Sequence, residues 1–384
     1  MQKFSHEIKQ HLTHDIIPFW NALSDRDNGG FYGYVSSDGQ VDATYPKGAV
    51  LHLRILWFYA AAYTALKEPQ CLSMATHCYD FIVKAFIDRE HGGLYRMVSP
   101  KGTPIDTNSD KYGYCHAFFI YAMSAYYTAS GNADALRHAL EMFDLLVEKN
   151  PENHEFCDRK WNAANTNRTT GALLHFIEAY TEMWRVCDDP DRPRIVARVN
   201  ALLQVVSDKL YDKDTCRLHE QFTPDYTTIN NAFSYGHFVE AAWLIGRTLD
   251  ILGDNVSADL TANLRKMNTA LVDAADEIAF ADNGGMYYEE IGGKVNRRMA
   301  WWTQAEGIVG FTDAYNRTGE RKYAERAEGL WAFIKSAIID QQHGNEWRNE
   351  LDENGTPDDD FPLVNEWKCP YHNGRMALFV LGLL

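Results

Sequence analysis

Six short stretches of this 384-residue chain set ionisable side chains into otherwise apolar sequence. They carry His52 and Arg54; Tyr114 and His116; His175 and Glu178; His237, Glu240 and Trp243; Trp302, Gln304 and Glu306; and Trp367, His372 and Arg375. Histidine is the side chain whose ordinary pKa suits proton transfer near neutral pH. His237 and Glu240 stand at i and i+3 of one helix face, where the glutamate can orient the imidazole, and Glu306 can orient a second histidine in the same way. Arg54 is a permanent cation in apolar company and needs an anion or polar ligand, unless it pairs with Glu178 or Glu306. Tryptophan faces with polar rims suit a sugar, which has apolar C–H faces and hydroxyl edges. The inventory points to acid–base chemistry on a sugar.

Plainer readings stand beside these. His237 with Glu240 could be a buried ion pair, or half of a metal site. Trp302 and Trp367 could be core packing, and Tyr114 and His116 either touch substrate or anchor loops. Glu240 and Glu306 could be the carboxylate pair of a glycoside hydrolase, which would leave the histidines unused. A non-catalytic sugar-binding module is the third class. The chain has no G-x-G-x-x-G, P-loop or H-E-x-x-H, so neither a cofactor nor a metal is expected.

The elements that must position these residues are helices. Twelve segments show helical periodicity, at about 4–22, 47–66, 70–86, 110–130, 132–148, 167–187, 191–210, 234–252, 257–277, 299–318, 321–339 and 368–384. Long loops alternate with short links such as Lys67-Glu68-Pro69, and short links make antiparallel neighbours. Six helical hairpins in series, with every long loop at one end, predict an all-α (α/α)6 barrel, a single catalytic domain over 1–384. Segments such as 47–66 are apolar nearly all round and belong inside, whereas 191–210 is charged on one face and belongs outside. The ionisable residues lie in the first turns of the inner helices, so parallel inner helices bring them to one mouth. Burying one unpaired charge costs several kcal/mol, so a ring of polar groups at one end is a solvated pocket.

A repeated signature supports this plan. Asp-x-x-x-Gly-Gly-x-aromatic occurs at 25–32 (DRDNGGFY) and 88–95 (DREHGGLY), with a near copy at 280–287 (FADNGGMY) and weaker copies at 340–347 and 212–219. A sixth, degenerate copy is expected near 158–162. The period of about 60 residues fits two helices plus an elaborated loop. The glycine pair supplies the backbone angles of a tight hairpin, so most copies are structural, walling the pocket.

Bulk properties narrow the partners. Apolar residues make up 46% of the chain, enough for a large core, and a formal charge of −16 argues against nucleic acid or an anionic membrane. Seven cysteines without a C-x-x-C fit free thiols in a reducing cytosol. The N-terminus shows no apolar signal region, and the apolar run near 55–66 is too short and interrupted to span a bilayer. A soluble cytoplasmic protein, monomeric or homodimeric, with a small-molecule substrate is expected.

The strings KGAVLHLRILW (47–57), HFIEAYT (175–181), SYGHFVEAAWL (234–244), WWTQAEGIVGF (301–311) and WKCPYHNGR (367–375) run in order over nearly the whole chain. Through them it resembles the N-acylglucosamine 2-epimerase superfamily, in particular its cellobiose 2-epimerase branch. The resemblance implies an (α/α)6 barrel and cofactor-free C2 epimerisation or aldose–ketose isomerisation of a sugar. It also implies His237 and His372 as the acid–base pair, Arg54 on the carbonyl or enediolate oxygen, and His175 in ring opening. Glu240 and Glu306 would orient the histidines, Trp243 and Trp302 would line the sugar site, and Trp367 would stack on a ring farther out. This sequence departs from the cellobiose branch at His52-Leu53, where that branch has Asn-Ser, at His237-Phe238, where it has His-Asp, and at Gly171, where it has Asn. These changes leave the histidine chemistry in place. They make D-mannose/D-glucose interconversion the first expected activity and the reducing end of a β-1,4 disaccharide such as cellobiose the next, with mannose/fructose isomerisation as the alternative.

Overall fold

The computed structural model describes residues 1–149, 156–157, 161, 167–382 and 384. Six helices form an inner ring: α3 (Ala49–Leu66), α5 (Gly113–Ser130), α7 (Thr170–Val186), α9 (Tyr235–Leu252), α11 (Trp301–Thr318) and α13 (Tyr371–Val380). Each packs on the next, and α13 returns to α3. The outer layer is α1 (Gln2–His11), continued through one wide turn into α2 (Ile17–Ala22), then α4 (Pro69–Ala85), α6 (Ala133–Lys149), α8 (Arg192–Val205), α10 (Ala258–Ile278) and α12 (Arg321–Phe333). This is the (α/α)6 barrel that the periodicity predicts.

Composition decides the layer. Every residue from 49 to 60 of α3 is buried, so this helix has no solvent face. It is the one described helix long and apolar enough to cross a membrane, and here it forms the barrel wall. Outer helix α10 instead buries one stripe, Leu264, Met267, Asn268, Leu271, Val272 and Ala275, at the spacing of a single helical face. The last inner helix is shorter than its sequence segment: Pro370 occupies its N-cap, and Gly382, at φ 67°, follows its end.

Short strands tie the loops into a collar at one mouth. The residues entering each inner helix pair with the following loop: Lys47–Gly48 with Met97–Val98, Lys111–Tyr112 with Phe156–Cys157, Arg168–Thr169 with Gln221–Phe222, Ala232–Ser234 with Glu289–Ile291, and Met299–Ala300 with Glu350–Leu351. A bridge between Val35 and Val364 closes the circle.

The repeated turn is a lock between this collar and the inner helices. Asp25 donates its N–H to Gly30 O at 2.8 Å, accepts the Gly29 N–H at 3.0 Å, and receives Lys47 Nζ at 2.7 Å. Gly30 sits at φ 69°, and a Cβ there would meet Phe81 and His52 Nε2 within 2.8 Å, so no other residue fits. The amide after the glycine pair then donates to the second turn of the next inner helix. Phe31 N–H reaches His52 Nε2 at 3.0 Å, Leu94 N–H reaches His116 Nε2 at 3.3 Å, and Met286 N–H reaches Gln304 Oε1 at 2.8 Å. His116 is therefore a loop anchor, tilted against the Trp161 ring and shut away from the mouth, which corrects its expected place as a substrate contact. The expected sixth copy near 158–162 lies outside the described residues except for Trp161.

The lock has a stability signature. Lys111 and Asp88 form a fully buried pair at 2.6 Å. Lys111→Met strands that carboxylate and is expected to lower unfolding free energy by ~3–5 kcal/mol, measured by urea titration at neutral pH. Burial works against the Asp88 charge, but Lys111 and the His91 amide outweigh it and hold its pKa at about 2 against an ordinary 3.8. Burial keeps His52 and His116 neutral down to about 3, against an ordinary 6.5. All three pKa values are depressed, so stability is fully present above the ordinary values. It is lost first below 6.5, as unfolded histidines take protons, and again below 3.8.

Candidate active site

Seven residues beyond the collar residues Lys47, Lys111, Arg168, Phe233 and Met299, and beyond Lys368 in the segment leading into α13, the inner helices present Arg54, Phe118, His175, Glu240, Glu306 and Arg375. The fold makes these one layer across the barrel. Arg375, fully buried, donates to Glu178 and Glu240 at 2.6 Å and to Glu306 at 2.8 Å, and also contacts the Tyr371 hydroxyl. Arg375 thus takes the carboxylates that the sequence offered to Arg54.

Arg54 has no carboxylate partner among the described residues. It lies 4.4 Å from the Phe118 ring centroid and 4.9 Å from that of Tyr371, with one 3.3 Å bond to Trp367 O. Its Nε and Trp301 Nε1 are buried without a hydrogen-bond partner. Both residues line a cavity of about 340 Å³ with Tyr114, His175, His237, Glu240, Trp302, Trp367 and His372, which places a fixed positive charge in the wall of a pocket of mixed polar and aromatic character.

Three cavity histidines share one arrangement. His372 Nδ1–H donates to Glu306 at 2.6 Å, His175 Nδ1–H to Glu178 at 3.2 Å, and His237 Nδ1–H to Glu220 at 2.6 Å. Each Nδ1 is tied to a carboxylate, which fixes the tautomer and leaves Nε2 for the ligand. His237 and His372 come from helices on either side of α11, with Trp302 between them at ring distances of 5.0 and 5.8 Å. Gly171 leaves room beside His237: a Cβ there would come within 3.0 Å of Nε2.

Their electrostatics differ. Burial drives His372 down to about 3 and His175 to about 4, despite their carboxylates, because Arg54 and Arg375 oppose a further positive charge. Burial also works against a charge on His237, yet Glu220, Glu240 and Glu306 outweigh it and raise its pKa to about 9. Glu240 is raised by burial and by Glu306, whereas Glu306 is lowered, since Arg375 and His372 outweigh its burial. Four carboxylates face two guanidiniums here, and a charged His237 reduces the excess.

Trp243 does not line the cavity. Its Nε1 donates to Glu306 at 2.9 Å and its ring covers the Arg375 guanidinium, so it supports the layer from behind. Glu240, Glu306 and His372 lie close enough to suggest a metal site, but one Arg375 nitrogen already binds both carboxylates. Sequence reasoning missed Glu220 as a partner of His237, and Tyr288, Asn349, Glu350, Phe361 and Asn365 as lining residues. They sit on collar loops with no periodic relation to the helices. It also gave Arg375 no role, although an arginine three residues after His372 in an apolar helix was a usable signal.

A barrel whose mouth gathers carboxylate-held histidines, an unpaired arginine and tryptophans defines a carbohydrate epimerase or isomerase. The chain belongs to the N-acylglucosamine 2-epimerase (GlcNAc 2-epimerase) family, whose sequence profile matches residues 30–372. It is 40% identical to a cellobiose 2-epimerase of Ruminococcus albus over 98% of this chain and 97% of that protein. The crystal structure of a sugar epimerase from a ruminal bacterium superposes with a TM-score of 0.93 at 38% identity, covering 98% of both chains. A D-mannose isomerase of Thermobifida fusca is 26% identical over 74% of this chain and 72% of its own.

Proposed function

We propose that this enzyme inverts C2 of a free reducing-end aldose, acting on D-mannose and D-glucose and on the reducing glucose of cellobiose. The observation that carries the reading is the pair His237 and His372, held by separate carboxylates on either side of Trp302. His175 takes the anomeric hydroxyl proton and passes it to the ring oxygen as the C1–O5 bond breaks, so it is neutral again when the aldehyde has formed. Neutral His372 removes the C2 proton, now acidic beside the aldehyde, and Arg54 holds the enediolate oxygen as a fixed charge. Protonated His237 returns a proton to the other face of C2, which inverts it, and the reverse reaction exchanges the two roles. Trp367, in edge contact with Tyr112 and Tyr114 in the cavity wall, offers a platform for a second ring. The relatedness to cellobiose 2-epimerases supports the disaccharide, and the bare Gly171 beside His237 supports a site shaped differently from theirs.

Glycoside hydrolysis fits poorly. Its two carboxyls must flank a glycosidic bond, at about 5–5.5 Å or 6.5–9.5 Å apart. Glu240 and Glu306 instead share one guanidinium nitrogen, and Glu306 also holds His372 and Trp243.

The test is incubation with mannose, glucose, fructose and cellobiose separately in D2O, with chromatography and NMR of the products. Mannose is expected to give glucose deuterated at C2, and cellobiose to give its C2 epimer. Ketose as the sole product would replace epimerisation by isomerisation, and glucose released from cellobiose would replace it by hydrolysis.

A further inference from the structure

We propose that Glu220 is a positioning residue that keeps His237 charged in the free enzyme, so that His237 and His372 rest in different protonation states. The inference rests on the acid–base roles given above to His237 and His372. Four carboxylates touch the cavity histidines. Three of them, Glu178, Glu240 and Glu306, are each bound by Arg375, whose positive charge offsets their pull on a neighbouring proton. Glu220 has no such cation among the described residues. Its one charged contact is His237, at 2.6 Å.

Its place in the fold is rigid. The Glu220 N–H donates to Ala232 O at 2.8 Å, and its carbonyl accepts the Thr170 N–H at 3.0 Å. The residue is thus clamped between the strand that precedes α9 and the first residue of α7. The side chain lies outside the cavity lining, on the Nδ1 side of His237, so it acts on substrate only through that ring.

Among the described residues, the other elements around His237 bring no cation into contact with it. Its own helix supplies Glu240, 3.9 Å from Nε2. Helix α11 supplies Glu306 and the Trp302 ring, and the hairpin strand 289–291 supplies Glu289, with Tyr288 just before it. Helix α7 presents Gly171 to the ring, with the Tyr114 hydroxyl of α5 beside it. Arg375 reaches Glu240 but has no contact with His237. His372, by contrast, shares its glutamate with Arg375. Inversion needs one ring that accepts a proton and one that donates it, and two rings with equivalent partners would start alike. Glu220 supplies the difference.

The protein with 15N-labelled histidine is examined by NMR, with His237→Asn assigning the resonance, and Glu220→Gln and Glu220→Asp are compared in steady-state kinetics. In the wild type His237 is expected to be an imidazolium at about pH 8. Glu220→Gln is expected to move the alkaline limb of the kcat/KM profile down by about one to three pH units. Its kcat for inversion at about pH 8 should fall about tenfold or more, while His372 still exchanges the C2 proton of one epimer with D2O. Glu220→Asp is expected to restore much of the limb. A neutral His237 at about pH 8 in the wild type, or an unmoved limb in Glu220→Gln, overturns the proposal. If no aldose is epimerised by the wild type, the functional reading falls instead, and the NMR result still decides what Glu220 does to His237.

Discussion

Replacing His372 with asparagine is expected to lower kcat for C2 inversion by about 10²–10⁴-fold with little change in stability. His372 is buried, and its Nδ1 is fixed by Glu306, so its task is performed by Nε2 alone. Asparagine keeps a polar group near Glu306 and removes the base. His237→Asn should cost a similar factor by a different route. One ring can still remove and return a proton on its own face, so each variant is expected to wash the C2 proton of one epimer into D2O without inverting it, and the two variants should act on opposite epimers. Rates of exchange and inversion, read together by NMR, check this. Exchange of both epimers by either single variant would show that one base reaches both faces.

Arg375→Met is expected to destabilise the fold by ~3–5 kcal/mol and to abolish turnover as well. The guanidinium is the common partner of Glu178, Glu240 and Glu306, all buried, and methionine leaves three carboxylates facing one another without it. Burial and mutual repulsion would then raise their folded pKa values. A raised carboxylate pKa gives stability that is present below the unfolded value and is lost as pH rises through the folded one. The deficit of Arg375→Met relative to wild type should therefore be smaller at about pH 5 than at about pH 8. Urea unfolding at both values measures it. A deficit under about 1 kcal/mol at the higher pH would mean that the three glutamates do not depend on this cation.

The layer that holds the site was partly legible in the chain. Arg54, His175, Glu240 and Glu306 are polar breaks in apolar helices, and a polar residue in an all-round apolar helix signals a pocket because burying it alone is costly. His237, with Glu240 one turn on, was legible for the same reason. His52 and His116 broke the pattern just as visibly, yet they face the collar, where their Nε2 atoms receive loop amides. From sequence alone a histidine that anchors a loop and one that faces a ligand look the same, since both are polar residues in the first turns of an inner helix. One residue of register, about 100° of rotation about the helix axis, separates His52 and His116 from His237 and His372. Trp243 shows the same limit: its position on α9 was correct, but its indole points behind the layer and holds Glu306.

The barrel, its six-fold order and the mouth at which its chemistry gathers are all written in the linear chain. Those follow from periodicity, from the contrast between all-round and one-faced helices, and from a turn that recurs about every 60 residues. How the charges are shared emerges from the folded ring alone. Arg375, rather than Arg54, binds the glutamates, which leaves Arg54 among aromatic rings for a ligand. Glu220, carried on a loop 17 residues upstream, reaches His237. Helical pattern fixes which face of a helix turns inward because burial acts on each residue separately. Ion pairing is a contest among all charges that the closed ring brings together, and its outcome is set by distances that do not exist until α13 packs back against α3.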